Sequence, residues 1–246
     1  MALRLGTWNT QWATPSSRAT SRGRAVAERL AGAGCDVLAA TEVLPEVLPP
    51  GHLADAGRAW GYPVRDDRRR KLVLWSAEPW QDVQLGEPGT PLHGRYVRGT
   101  TETPIGAVTV VGVCIPWPHC HVTTGRKDRA RWDEHLEYLR MLRPVLARIS
   151  QPLIVAGDFN QRIPRTRQPH RAADALAGAL GDLVVPTSAV TEPRLIDHIA
   201  HTADLDASHL TIIPGRDGGR SLSDHDGVVV QLRRAPGPVK LGRPAR

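Results

Sequence analysis

The sequence predicts a layered α/β domain, on three observations. Apolar runs of strand length, most of them rich in β-branched residues, recur along the chain. Segments with apolar residues three or four apart lie between them. No internal repeat, low-complexity tract or interdomain linker precedes residue 233. At 246 residues and 41% hydrophobic content, the chain is long enough to enclose one substantial core.

The elements follow in chain order. LRLGTWN (3–9) is β-compatible and ends on the polar Asn9. Ala19, Val26, Leu30 and Ala33 recur near helical spacing, and Gly34 suits a helix stop. Asp36 to Glu42 reads as a buried strand that delivers Glu42 to its C-terminal end. Further strands are expected at KLVLW (71–75), AVTVVGVCI (107–115), PLIVAG (152–157), RLIDHIA (194–200) and GVVVQL (227–232). The clearest helix is 127–149, with Trp132, Leu136, Leu139, Leu142, Leu146 and Ile149 on one face; Pro144 should kink or restart it. Domain organisation is therefore expected as one unit over 1–232, followed by a basic Pro/Gly-rich tail, 233–246, too poor in apolar residues to order itself.

Composition excludes several classes. No run approaches the roughly 18 apolar residues of a membrane span, and MALRLGTWNTQW lacks a basic segment followed by an apolar one, which favours the cytoplasm. Cys35, Cys114 and Cys120 are odd in number and show no CxxC spacing, so neither a disulfide framework nor a thiolate zinc site is suggested. The net charge of +7 invites a polyanion, but five basic and no acidic side chains fall in the tail, and the body is close to balance. Electrostatic contact through the tail and a merely solvated terminus both fit. Nothing points to a protein partner, and a monomer is the expectation.

Singly, the candidate chemical residues are ambiguous. Asn9 fits a turn or cap, and Glu42 a surface strand end. LIVAGDFNQR is more informative: a buried strand runs into Gly157 and presents Asp158 and Asn160, which could hold a water and a phosphate oxygen or simply form an Asx-turn. In a strand through IDHI, the period of two puts Asp197 on the face of Ile199, where a carboxylate needs a partner. His225, in Ser223-Asp224-His225, wants a carboxylate on its second ring nitrogen, and Asp197 can serve if the strands are neighbours. Oxygen ligands without a soft-ligand cluster favour Mg²⁺ or Mn²⁺ over zinc.

The ordered set TWN, Glu42, GDFN, IDHI and SDH, spanning positions 7 to 225, resembles the endonuclease/exonuclease/phosphatase superfamily, and Arg131-Trp132-Asp133-Glu134 resembles a helix of its abasic-site endonuclease branch. The resemblance implies a four-layer sandwich: two mixed β-sheets packed face to face, flanked by helices, with the site at one edge. It implies that Glu42 binds Mg²⁺ or Mn²⁺ with help from Asn9 and that Asp224 completes the metal environment. Asp158 would orient or deprotonate the attacking water, Asn160 would hold Asp158 or the phosphate, and His225 with Asp197 would stabilise the phosphorane. The chain departs from the family pattern at Cys114, where a phosphate-contacting tyrosine or histidine is usual, at Gln11, where many relatives have an acid, and at Thr41, where glutamine is frequent.

Arg162 and Arg165, with Arg167, follow GDFN closely enough to contact phosphates flanking the scissile one. The loop 116–127 offers His121 and Arg126, with His119 and Lys127, as replacement donors for the one missing at Cys114, against the plainer reading of an exposed loop. Trp75 and Trp117 read as core packing more readily than as base-stacking platforms. The function these readings favour is a divalent-metal-dependent phosphodiesterase or nuclease with nucleic acid as substrate. The rivals are a phosphomonoesterase of inositol phosphates or lipid head groups, which would need a narrow basic pocket, and a silent polyanion-binding module. The second has no use for carboxylates crowded beside a polyanion.

Overall fold

The computed structural model describes residues 1–15 and 21–236. Within them the chain forms β1 (Leu3–Asn9), α1 (Arg22–Gly32), β2 (Val37–Val43), β3 (His52–Asp55), β4 (Arg70–Ser76), β5 (Trp80–Leu85), β6 (Tyr96–Thr101) and β7 (Val108–Cys114). The second half adds α2 (Asp133–Leu146), β8 (Leu153–Asp158), α3 (His170–Leu180), β9 (Asp197–His201), β10 (Leu205–Ile213), the short pair β11 (Arg216–Asp217) and β12 (Arg220–Ser221), and β13 (Gly227–Arg234). One sheet runs β10-β13-β1-β2-β4-β3 and the other β5-β6-β7-β8-β9. Each is mixed: β1 and β2 are parallel in the first, β7 and β8 in the second, and the other pairings are antiparallel.

Side-chain alternation sorts these strands into layers. Leu3 and Leu5, Val37 and Ala39, Leu72 and Leu74, Val110, Ile154 and Ala156, and Val228, Val230 and Leu232 all enter one buried cluster between the two sheets. The alternate residues Trp8, Leu38, Ala40, Val73, Trp75 and Val229 face the other way, onto Val26 and Leu30 of α1. On the second sheet, Val111, Val113, Leu153 and Val155 pack on Tyr138, Leu139 and Leu142 of α2 and Leu176 of α3. Helix, sheet, sheet, helix is the four-layer sandwich expected. Gly157 is required here: at φ 145 in β8, a Cβ would lie 1.9 Å from the carbonyl oxygen of Val113 on β7.

Several boundaries differ from expectation for identifiable reasons. The long helix begins at Asp133 rather than 127, because Trp132 adopts φ 79 and the Asp133 carboxylate accepts from the Ala130 N–H at 2.8 Å. Pro144 falls in its last turn, and the helix ends two residues later at Leu146, short of the expected 149. Helix α1 starts after Ser21, whose side chain accepts from the Arg24 N–H; Ala19 lies outside the described residues. Strand β9 starts at Asp197, three residues into the run expected from 194. Strand β13 continues through Arg233 and Arg234, so the expected tail loses its first residues to the sheet. Arg234 is fixed there by Asp204 at 3.3 Å and by the Ile105 and Ala107 carbonyls. Residues 237–246 lie outside the described residues. No helix among the described residues is long and apolar enough to cross a membrane.

Candidate functional site

The topology gathers five strand ends at one edge of the sandwich. Asn9 ends β1 and pairs with Thr41 of β2, one residue before Glu42. Asp158 ends β8, opposite both Cys114 on β7 and Asp197 at the start of β9. His225 precedes β13, which runs antiparallel to β1 and so begins where β1 ends. The segment before β13 is tied to β1 in the same sheet: Ser223 Oγ donates to the Asn9 carbonyl at 2.7 Å and accepts from the His225 N–H at 3.1 Å, while Trp8 Nε1 donates to the His225 carbonyl at 3.0 Å.

Asp158 is the centre of the network. Asn9 Nδ2 donates to its Oδ2 at 3.1 Å, Asn160 Nδ2 to the same oxygen at 3.0 Å, and the Asn160 N–H to Oδ1 at 2.8 Å. Asn160 is itself anchored on the Ile115 carbonyl at 2.9 Å. His225 Nδ1 lies 2.5 Å from Asp197 Oδ2, the pairing anticipated from the sequence. The other oxygen of Asp197 is buried with no hydrogen-bond partner among the described residues, and the Asn9 backbone N–H favours the carboxylate's charge.

These charges are expensive to bury, and their protonation reflects it. Burial pushes Asp158 up to about 7, with Asp197 and Glu42 adding repulsion against the pull of His225. Burial likewise raises Asp197, opposed by His225. For His225 burial alone would favour the neutral ring, but Asp197 and Asp158 outweigh it and raise the imidazole to about 10. Asp158, Asp197 and His225 each offer one ligand-type atom, all within 4.8 Å of one another. The orphaned Asp197 oxygen, with Asp158 and Glu42 near enough to repel it, leaves hard oxygen donors that fit a divalent ion, whereas His225, raised to about 10 and cationic, is no ligand.

The residues expected to be metal ligands have other partners in this structure. Glu42, at φ 45 and out of the extended alternation, meets Lys71 Nζ at 2.5 Å through Oε1. Asn9 Oδ1 accepts from the Gln11 N–H at 2.9 Å. Asp224 has a side chain 64% exposed, its carboxylate 3.9 Å from His225 Nε2.

Of the expected phosphate contacts, Arg162 and Arg165 have no carboxylate partner among the described residues and border a cavity of about 350 Å³ lined also by Leu176, Leu180 and Leu183. His121 and Arg126 depart from expectation. His121 is wholly buried, stacked on Tyr62 at 4.4 Å, with Arg126 at both ring nitrogens. Arg126 is committed to Glu134 at 3.1 Å and Asp128 at 3.2 Å. Their charges and donors are spent inside a structural cluster, because Glu134 on α2 needs neutralising. Trp75 is core, with Nε1 on the Pro49 carbonyl.

Lys71 escaped the sequence reading. It is the second residue of the strand antiparallel to the one that carries Glu42, and a lysine at the head of a buried run was the available signal. Gln11, Trp12, Glu42 and Asn160, all non-glycine residues at positive φ, lie along this edge, a concentration of backbone strain at the site. Arg22 pins the loop after β1, donating to the Thr10 carbonyl at 2.9 Å and to that of Gln11.

Comparison with known proteins agrees with this arrangement. The model of the Endonuclease/Exonuclease/phosphatase family matches residues 6–225. An endonuclease/exonuclease/phosphatase from Beutenbergia cavernae DSM 12333 is 22% identical, with 97% of this chain and 73% of that one covered and a TM-score of 0.65. An AP endonuclease from Archaeoglobus fulgidus is 16% identical over 93% and 98% of the two chains, TM-score 0.64. Sphingomyelinase C from Streptomyces griseocarneus is 17% identical over 94% and 99%, TM-score 0.58. No curated protein sequence matches. With nearly the whole body matched and both sheets in place, the chain belongs to the endonuclease/exonuclease/phosphatase family, whose enzymes hydrolyse phosphate esters.

Proposed function

We propose that this chain is a divalent-metal-dependent phosphodiesterase acting on nucleic acid. The observation that carries the reading is the buried Asp158, clasped by Asn9 and Asn160 and facing the Asp197–His225 pair. A carboxylate raised to about 7 is poised to take a proton from an attacking water near neutral pH, and Asn9 and Asn160 fix its orientation. An imidazole raised to about 10 is cationic at that pH, so His225 offers a charged donor to the phosphorane oxygens, with Asp197 holding its ring. Glu42 with Asn9, and Asp224 at the rim, are the groups assigned to hold Mg²⁺ or Mn²⁺. Bound there, the ion supplies Lewis-acid stabilisation of the phosphate. Arg162 and Arg165, cations without acid partners close after Asp158 in sequence, favour a substrate with phosphates flanking the scissile one.

The test is a panel of single- and double-stranded DNA, abasic-site DNA, RNA, a generic phosphodiester and inositol polyphosphates, each with Mg²⁺, Mn²⁺ or EDTA. The expected outcome is cleavage of a nucleic acid that EDTA abolishes, and a Glu42→Gln variant whose activity excess metal partly restores. Hydrolysis undiminished in EDTA would end the metal-dependent reading. Turnover of inositol phosphates alone would replace the diesterase by a monoesterase.

A further inference from the structure

Four consecutive cations, Arg68, Arg69, Arg70 and Lys71, lead into β4, and the fold treats them unequally. Arg68 closes on Asp66 at 2.8 Å, and Arg70 on Asp55. Arg69 has no carboxylate partner among the described residues; it is exposed and lies over the Trp12 ring, 5.1 Å from the centroid. Lys71 Nζ lies over the same ring at 5.2 Å while pairing with Glu42. Trp12 is held in turn, by its N–H on the Glu42 carbonyl at 2.7 Å and by stacking on Trp60 at 5.7 Å. Arg69 therefore brings to this ring a charge with no carboxylate partner among the described residues, which an anion would complement. The ring restricts both long side chains before any ligand arrives, which lowers the entropy lost on binding. Glu42 can serve either Lys71 or a metal ion at Oε1, so an ion taken there frees the ammonium for an anion at the same place.

We propose that Arg69 and Lys71, presented on Trp12, form a phosphate subsite at the Glu42 end of the catalytic cluster. Lys71 takes an oxygen of the nearer phosphate and Arg69 the next one along. The subsite therefore selects a nucleic-acid strand over an isolated phosphate ester. It rests on the phosphodiesterase reading and adds to it the side from which the strand enters. Lys71 also supplies a phosphate donor in place of the one missing at Cys114, a role His121 and Arg126 do not fill because they are engaged with each other and with Glu134.

The experiment measures binding of the tetranucleotide dT4 with Mn²⁺ present, by tryptophan fluorescence over a salt series, in an Asp158→Asn background to stop cleavage. Arg69→Ala and Lys71→Met should each weaken binding about five- to tenfold and flatten the logarithmic salt slope by about 0.7 for each phosphate left without its cation. Trp12→Leu should weaken binding more than Trp12→Phe, since only an aromatic ring presents the cations. Electron paramagnetic resonance of Mn²⁺ should show tighter ion binding in Lys71→Met, by about tenfold, because a competitor for Glu42 has gone. Wild-type dT4 affinity and slope in both cation variants would overturn the subsite, and unchanged Mn²⁺ affinity would overturn the competition at Glu42. Hydrolysis of bis(p-nitrophenyl) phosphate by the otherwise unmodified protein separates this from the parent reading. If that ester is cleaved and dT4 binding ignores both substitutions, the subsite alone fails. If the substitutions act but no ester is cleaved, the activity alone fails.

Discussion

Two buried clusters in this molecule are built from similar parts, and only one holds more carboxylates than cations among the described residues. Asp158, Asp197 and His225 sit at the edge of the sandwich, and Cys120, His121 and Glu134 lie between α2 and the loop before it; each group could hold a cation by proximity alone. In the second, Arg126 and Arg129 approach Glu134 at 3.1 and 3.2 Å, and His121 is driven below its usual value by burial and by Arg126. In the first, no arginine or lysine pairs with either aspartate among the described residues; one carboxylate oxygen has no partner, and His225 is raised to about 10. Proximity of ligand-type atoms therefore does not identify a functional site. What distinguishes it is charge that the fold buries and leaves for something else to neutralise.

The sharpest way to break this distinction is to substitute both clusters in parallel. Asp158→Asn and His225→Ala should each lower turnover by at least about a hundredfold with the fold retained by circular dichroism, because both groups act in the transition state. Glu134→Gln should do the reverse: near-normal turnover per folded molecule, but a loss of about 1 to 3 kcal/mol in stability as Arg126 and Arg129 lose their buried counter-charge. If Glu134→Gln abolishes turnover in folded protein, or Asp158→Asn leaves it intact, the assignment of the two clusters is reversed.

Much of this was legible in the sequence, and the limits have physical causes. Strands β1, β2, β4, β7, β8, β9 and β13 were readable because runs of Val, Leu and Ile mark their buried faces, and Asp158, Asp197 and His225 stood at their ends; β3 and β6, which add Ala54 and Val97 to the inter-sheet core, carry too few such residues to be read. Strands β5 and β10 were not, since they lie at sheet edges with mostly exposed side chains and carry little apolar periodicity. Helix α3, HRAADALAGAL, buries two alanines and two leucines, a weak stripe that small residues conceal. The pairing of His225 with Asp197 could be anticipated because an imidazole in catalysis needs a carboxylate. The pairing of Glu42 with Lys71 could not, since it depends on which strand lies beside β2. His121 and Arg126 misled for the same reason: their partner Glu134 is supplied by a helix whose packing the loop sequence does not reveal.

A second contrast lies in pH dependence, measured on metal-free protein. Asp158 has a folded pKa of about 7, above its value near 3.8 when unfolded, so the folded state holds the proton more tightly and stability falls as pH rises between those values. His225, raised from 6.5 to about 10, contributes stability that is complete below pH 6.5 and lost as pH climbs toward 10. His121 is lowered, so its contribution has the opposite sign: present above pH 6.5 and lost on acidification. Melting temperature should thus decline from pH 5 to 8 more steeply in the wild type than in Asp158→Asn, and His121→Asn should be less sensitive than the wild type below pH 6. Parallel wild-type and Asp158→Asn profiles would show that Asp158 is not held protonated by the fold.

The smallest expected effect concerns Cys114, which stands opposite Asp158 in the sheet, where the family pattern has a tyrosine or histidine against the phosphate. The thiol is buried, and burial pushes it up to about 12, so it stays protonated at any working pH and offers only a weak donor. Its neighbours on the same face, Val110 and Ile154, belong to the inter-sheet core, and there it serves as a small apolar filler. Cys114→Ala should accordingly change turnover less than about threefold at saturating substrate, and lower stability by about 1 kcal/mol or somewhat more through the small void left behind. Cys114→Tyr is the sharper probe, because it returns a phosphate donor but must fit a phenol into space packed around a thiol. If Cys114→Ala loses turnover as severely as His225→Ala while melting normally, the thiol takes part in the chemistry. The boundary between the catalytic edge and the inter-sheet core would then lie one residue deeper along β7 than the packing suggests.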